Sequence, residues 1–210
     1  MEALAKKMAE AIGRSTGKSA EEIAVVAYGF IGILQFTAIF LLSTIVGILF
    51  GFWLEVATVF LSVGFLRRLT GGAHSSGIYS CLVYSVFFVC GISALARYAV
   101  STLPRQHILI LCALIFIFGY VTVALKAPVT PPNKPCRTEK KRRRLRRGSF
   151  LVLSLFMVAV GLAIRGSIEF PRLYSIGIAL ALSTLWQILM MTRAGHVFVT
   201  AIDGLFSRRG

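Results

Sequence analysis

The chain has 210 residues, 57% of them hydrophobic, with a mean hydropathy of +0.80 and a formal charge of +15. So apolar a composition excludes an ordinary soluble domain, and its apolar runs are long enough to cross a bilayer, which predicts an all-α integral membrane protein. Nor does the charge point to nucleic acid, because the Lys and Arg residues gather between the apolar runs instead of covering one amphipathic surface.

In chain order, residues 1–22 come first. Ala3, Leu4, Met8, Ala11 and Ile12 recur at helical intervals with Glu2, Lys6, Lys7 and Glu10 between them, the pattern of an amphipathic helix lying at the membrane interface. Residues 13–17, bounded by two glycines, are expected to break that helix. Ser19, followed by Glu21 and Glu22, then reads as an N-cap with acidic residues in the first turn of a new helix. A polar start of this kind is not that of a cleavable signal peptide.

Six hydrophobic segments follow, at residues 25–50, 52–66, 78–100, 108–125, 150–164 and 173–191, against about 20 residues for a full helical span. The second and fifth are short and are expected to be tilted, re-entrant or shielded. Only Gly51 separates the first two, which predicts a tight hairpin. Residues 126–147 read as one long loop, stiffened by Pro128, Pro131, Pro132 and Pro135 and ending in a basic run from Lys140. That run would lie on anionic headgroups at roughly 1 kcal/mol per charge, or grip an acidic peptide or substrate from the cytosol. With both termini and this loop in the cytoplasm, all but four of the 23 Lys and Arg residues (Arg97, Arg105, Arg165 and Arg172) fall inside, as the positive-inside rule requires. The whole chain, 1–210, is read as a single membrane-embedded domain.

Cys81, Cys90, Cys112 and Cys136 show neither CxxC spacing nor a His-rich partner set, so neither a metal site nor a disulfide framework is indicated, and no cofactor is implied. Cys90 and Cys112 sit among Val, Phe and Leu and read as packing residues. The stretch 67–81 is different. It is a polar, glycine-rich interruption, Arg-Arg-Leu-Thr-Gly-Gly-Ala-His-Ser-Ser-Gly-Ile-Tyr-Ser-Cys, that sets one histidine seven residues before one cysteine. On a continuous helix those two would differ in height by about 10.5 Å, whereas proton transfer needs heavy atoms about 3 Å apart or one bridging water. Gly71, Gly72 and Gly77 permit a turn that folds His74 back over the start of the third segment. Cys81 then lies in that segment's first turns, where amide dipoles favour a thiolate. Ser75, Ser76, Ser80 and Gln187 all have the chemistry to orient the imidazole. Glu55 falls near the outer half of the second segment, far from His74, as a buried ionisable group with a function, a part in helix packing or a pairing to an outer arginine.

Residues alone leave two rivals to an enzyme, a small peptide or ion transporter and a lipid-held scaffold. The scarcity of polar groups in the segments, little beyond Gln35, Glu55 and Gln187, argues against a transport path.

Arg67-x4-Gly72-x-His74-x6-Cys81, followed by Ala127-Pro128 and Asn133-Lys134-Pro135 before a basic run, resembles the accessory gene regulator protein B (AgrB) family over nearly the whole chain. The resemblance implies a bacterial membrane cysteine endopeptidase that processes a short AgrD-like autoinducer precursor in quorum sensing. It removes the peptide's C-terminal tail through an acyl-enzyme thioester and promotes closure of a thiolactone or lactone ring. By that resemblance Cys81 is the nucleophile and His74 the general base, and Arg67 and Gly72 match positions needed for activity. Arg68, Gly71 and Lys134 join them as supporting or substrate-binding positions. The partners are the precursor peptide and the anionic inner leaflet. Gly29, Gly32, Gly161 and Gly177 permit close helix contacts, within the chain or in a homodimer.

Overall fold

The computed structural model describes residues 2–17, 19–73, 77–129 and 138–207, which are helical apart from short connections and include no strand. α1 (Glu2–Thr16) and α2 (Ala20–Leu49) form a hairpin turned at Gly17, whose φ is 65°. The expected N-cap is present as a reciprocal pair. Ser19 Oγ accepts the Glu22 N–H at 3.4 Å, and the Glu22 carboxylate accepts the Ser19 N–H at 3.0 Å. The expected break at residue 13 is absent, and α1 runs on to Thr16. Ala5, Ala9 and Gly13, at four-residue spacing, are its buried stripe, and Gly13 leaves the room that the Ile23 side chain fills. At 30 residues α2 is about 45 Å long, against roughly 30 Å of hydrocarbon, so α2 extends well beyond the apolar layer.

Among the described residues, five helices are long and apolar enough to cross a membrane: α2, residues 78–102, α5 (Arg105–Lys126), α6 (Glu139–Gly166) and α7 (Arg172–Met190). The second of these is α4 (Ile78–Ala94) prolonged by a π-helical turn, Leu95–Ala99, and a 3-10 turn, Val100–Thr102. The protein is therefore a multi-pass membrane protein. The sixth predicted segment, α3 (Trp53–Thr70), carries Glu55, Arg67 and Arg68 within its 18 residues. It tolerates them because it packs against α2, α4, α6 and α7. The other short segment proves long. α6 has 28 residues, and the basic run expected in a loop forms its first turns. Lys and Arg are good helix formers, and Arg143 pairs with Glu139 one turn back at 3.1 Å.

α3 and α7 run parallel and meet in a polar seam. Ser175 Oγ donates to Glu55 Oε1 at 2.6 Å, the Ser62 and Ser183 hydroxyls share a bond at 2.6 Å, and Gln187 Nε2 donates to Thr70 Oγ1 at 2.9 Å. Such interhelical bonds average about 0.6 kcal/mol each within a membrane, but three along one seam fix its register. Glu55 is fully buried there, and its partner is a serine, not an outer arginine. The arginines at that end bind elsewhere: Arg172 donates to the Gly51 carbonyl at 3.0 Å and Arg105 to Ser167 Oγ at 3.2 Å. Of the four glycines considered for close contacts, Gly177 packs against Ala163 of α6, whereas a Cβ on Gly29, Gly32 or Gly161 would meet open space.

Because the helices alternate in direction, the ends of α3, α5 and α7 and the starts of α4 and α6 share one end of the bundle. Gly148 of α6 lies against Leu69 of α3 there. A further helix, α8 (Arg193–Ser207), which the apolar segments did not foretell, docks at the same end against α4 and α7.

Candidate functional site

The interruption predicted between α3 and α4 is held from four directions. The chain leaves α3 at Thr70 and turns through Gly71 (φ 70°) and Gly72 (φ 131°), a backbone region that L side chains rarely enter. The Thr70 carbonyl accepts the Val129 N–H at 2.8 Å, tying this turn to the segment after α5. From α7, Gln187 Nε2 donates to the Gly71 carbonyl at 2.8 Å as well as to Thr70, and the Met190 carbonyl accepts the Ala73 N–H at 2.9 Å. From α3 itself, Arg67 Nη2 donates to the Ala73 carbonyl at 2.6 Å. Beneath Ala73 lie Met190 and Val199 of α8, with Trp186 and Phe198 beside them. The chain therefore turns at Gly71 and Gly72. Gly77 is extended (φ −92°) and is the residue from which α4 starts.

His74, Ser75 and Ser76 lie outside the described residues, as do residues 130–137 with Lys134. Cys81 is described. Its N–H closes the first turn of α4 onto the Gly77 carbonyl at 3.0 Å, and its Sγ stands 4.0 Å from Ser85 Oγ. The thiol faces a cavity of about 250 Å³ bounded by α2, α3, α4 and Trp186 of α7. Helical register gives this cavity a direction. On α4 it is lined in turn by Cys81, Ser85, Phe88 and Ile92, a face that descends about 16 Å into the bundle. On α3 the order from the same end is Arg67, Gly64 and Phe60. Gln35 of α2 sits level with the start of α4, where its Nε2 donates to the Ile78 carbonyl at 3.2 Å. The cavity is thus a slot with polar groups around the thiol and an apolar floor. Arg68 is exposed and is not among its lining residues. Cys90, near the Ser43 carbonyl at 3.9 Å, and Cys112, buried in the core, are not among its lining residues either.

Two residues acquire a place that their sequence positions did not suggest. Gln187, considered as a partner for the imidazole, holds the backbone of the bend. Asp203 of α8 was not considered at all; its Oδ1 accepts a hydrogen bond from Ser80 Oγ at 3.0 Å, one residue before Cys81. Its signal was its rarity, one of eight acidic residues in a basic chain, placed on an amphipathic helix after the last apolar segment.

Residues 5–191 match the family model for accessory gene regulator B. An AgrB-like protein of Clostridium perfringens (strain SM101 / Type A) is 28% identical over 212 residues, covering 99% of each chain. An AgrB-like protein of Halalkalibacterium halodurans is 30% identical over 161 residues, with 75% of this chain and 76% of the relative aligned. No solved structure matches the chain. α8 and Asp203 lie beyond the stretch that the family model covers.

Proposed function

This chain belongs to the accessory gene regulator B family and so to the agr quorum-sensing system, and we propose that within it the chain is a cysteine endopeptidase acting on a short precursor peptide. Cys81 adds to a peptide carbonyl near the precursor's C-terminal tail. His74 takes the thiol proton and returns it to the leaving amine as the C–N bond breaks, which frees the tail and leaves an acyl-enzyme thioester. A cysteine or serine within the bound peptide then attacks the thioester carbonyl, closes the ring and restores the Cys81 thiol. An internal nucleophile has a large effective concentration, and the apolar slot limits competing water.

The observation that carries this reading is the setting of Cys81. It occupies the first turn of a helix that begins at a clamped loop, its thiol faces a slot, and the Arg67 guanidinium lines the same slot. A cation beside the thiol stabilises the oxyanion that follows attack. The basic first turns of α6 stand at the same end of the bundle, where they would attract an acidic peptide tail. We assign that end, both termini and the segment between α5 and α6 to the cytoplasm, because the excess of Lys and Arg lies there. Arg67 and the Gly71–Gly72 turn support the site, and Arg68 and Lys134 are available to the peptide.

The test is to co-express the chain with a candidate precursor and examine it by intact mass. A peptide fragment bound at Cys81 and released by neutral hydroxylamine is expected. Shortening of the peptide with no such adduct, by a chain in which both Cys81 and His74 are alanine, would exclude the reading.

Asp203 acts here as a positioning residue, since it anchors the turn that carries Cys81. Asp203→Ala is expected to slow processing about tenfold, the equivalent of ~1.4 kcal/mol, close to the lower end for one hydrogen bond to a charged group. Asp203→Asn, which keeps an acceptor for Ser80, should recover most of that loss. Equal rates for the two variants would show that the Ser80 bond is not what matters.

A further inference from the structure

We infer that the slot beside Cys81 is the specificity pocket for the residue whose carbonyl is attacked, and that it selects a large apolar side chain there, leucine or phenylalanine in preference to glycine. This deepens the peptidase reading and rests on it.

The argument starts from position. Any carbonyl that bonds to Cys81 Sγ must lie at the polar mouth, among Arg67, Gln35 and Ser85. The side chain on the adjoining Cα is then within reach of the slot, which Cys81 itself lines. Its volume of about 250 Å³ falls below the 300–1,000 Å³ typical of pockets that hold whole drug-sized ligands. That is room for one or two side chains, not for a folded peptide. Its composition excludes a charged or polar occupant. Below the mouth the walls are Phe36, Phe60, Phe88, Ile92 and Trp186, and a buried polar group among them would forfeit its hydrogen bonds. The walls are also stiff. Phe36 packs on Phe60 with ring centroids 4.4 Å apart, and Phe88 stacks on Trp186 at 3.9 Å. Gly64 holds the slot open, since a Cβ there would meet only Phe36, at 3.9 Å.

The test uses chloromethyl ketones, whose methylene carbon is attacked by the Cys81 thiolate. A C–S bond forms, the C–Cl bond breaks, and chloride leaves. The full-length protein in detergent is treated with N-acetyl-glycyl, -leucyl and -phenylalanyl chloromethyl ketones, and labelling of Cys81 and Cys90 is followed by mass spectrometry. The Cys81-to-Cys90 ratio cancels the partition of apolar probes into micelles. It is expected to rise roughly tenfold or more from the glycyl to the leucyl or phenylalanyl probe. Gly64→Leu, which fills the slot, should bring the larger probes down to the glycyl ratio. Phe60→Ala, which enlarges it, should shift the preference to a naphthylalanyl probe.

A flat series in the wild type would overturn the proposal, as would a preference that survives Gly64→Leu and does not move with Phe60→Ala. A linear dodecyl chloromethyl ketone that outruns both amino-acid probes would assign the slot to a lipid chain and overturn it too. Iodoacetamide, too small to read the slot, separates the underlying claim. If it labels Cys81 no faster than Cys90, the nucleophile reading fails and the pocket fails with it. If it labels Cys81 faster while the series is flat, only the pocket fails.

Discussion

Cys81→Ala is expected to leave a co-expressed precursor at full length, with processing reduced by about 10⁴-fold or more, because removing a covalent nucleophile removes the pathway and not one contribution to it. The measurement is the intact mass and amount of the peptide in membranes from cells expressing each variant. The substitution deletes one sulfur at a half-buried position in the first turn of α4. Alanine is the best helix former, so the helix should persist and the protein should reach the membrane in normal amount. Cys90→Ala and Cys112→Ala set the comparison. Neither residue lines the slot, so both variants should process at close to the wild-type rate, with Cys112→Ala less stable because its thiol is buried in the core. Full processing by Cys81→Ala would end the peptidase reading whatever the other variants did.

Gly71→Ala should be nearly as damaging for a different reason. Residue 71 combines a φ of 70° with an approach so close that an added Cβ would overlap the Val129 carbonyl oxygen. Neither conflict can be relieved alone. Val129 is tied to Thr70, and the Gly71 carbonyl is tied to Gln187, so the whole turn has to move. A displacement of about 1 Å in a positioning element can cost roughly 100-fold in rate, and that is the expected fall in processing. The clash lies in a connection and not in a span, so the variant should still insert and extract from membranes like the wild type. Gly161→Ala, where the added methyl meets open space, should process normally. A fully active Gly71→Ala would show that the clamp is incidental.

What the sequence revealed follows from the strength of each signal. The five crossing helices were legible because runs of about 20 apolar residues have few alternatives. α3 was legible only as a short segment, since its three charges disguise a helix that neighbours surround on several sides. The start of α6 was misread because a basic run after several prolines looks like a loop. Helix propensity and the Glu139–Arg143 pair decided otherwise once the prolines were past. α8 escaped notice because Phe198, Val199 and Ile202 are too few to suggest a span, although their spacing is that of one helical face. In the site, the glycines announced a bend, and a cysteine close after it singled out the thiol that the proposed reaction uses, both from local chemistry. The clamp on that bend, the slot beneath the thiol and the Ser80–Asp203 bond join residues as much as 123 positions apart. No periodicity encodes such pairings.

The clamp also bears on when during synthesis the protein can become active. Gln187 and Met190 are made more than a hundred residues after Cys81, which at roughly 5–20 residues per second is a delay of about 5–20 s. Throughout that interval α4 and its thiol are already in the chain, but nothing from α7 holds the turn before them. The ribosome therefore finishes most of the protein before the turn can be clamped, and a nascent chain stalled before α7 would carry the Cys81 thiol beside an unclamped turn.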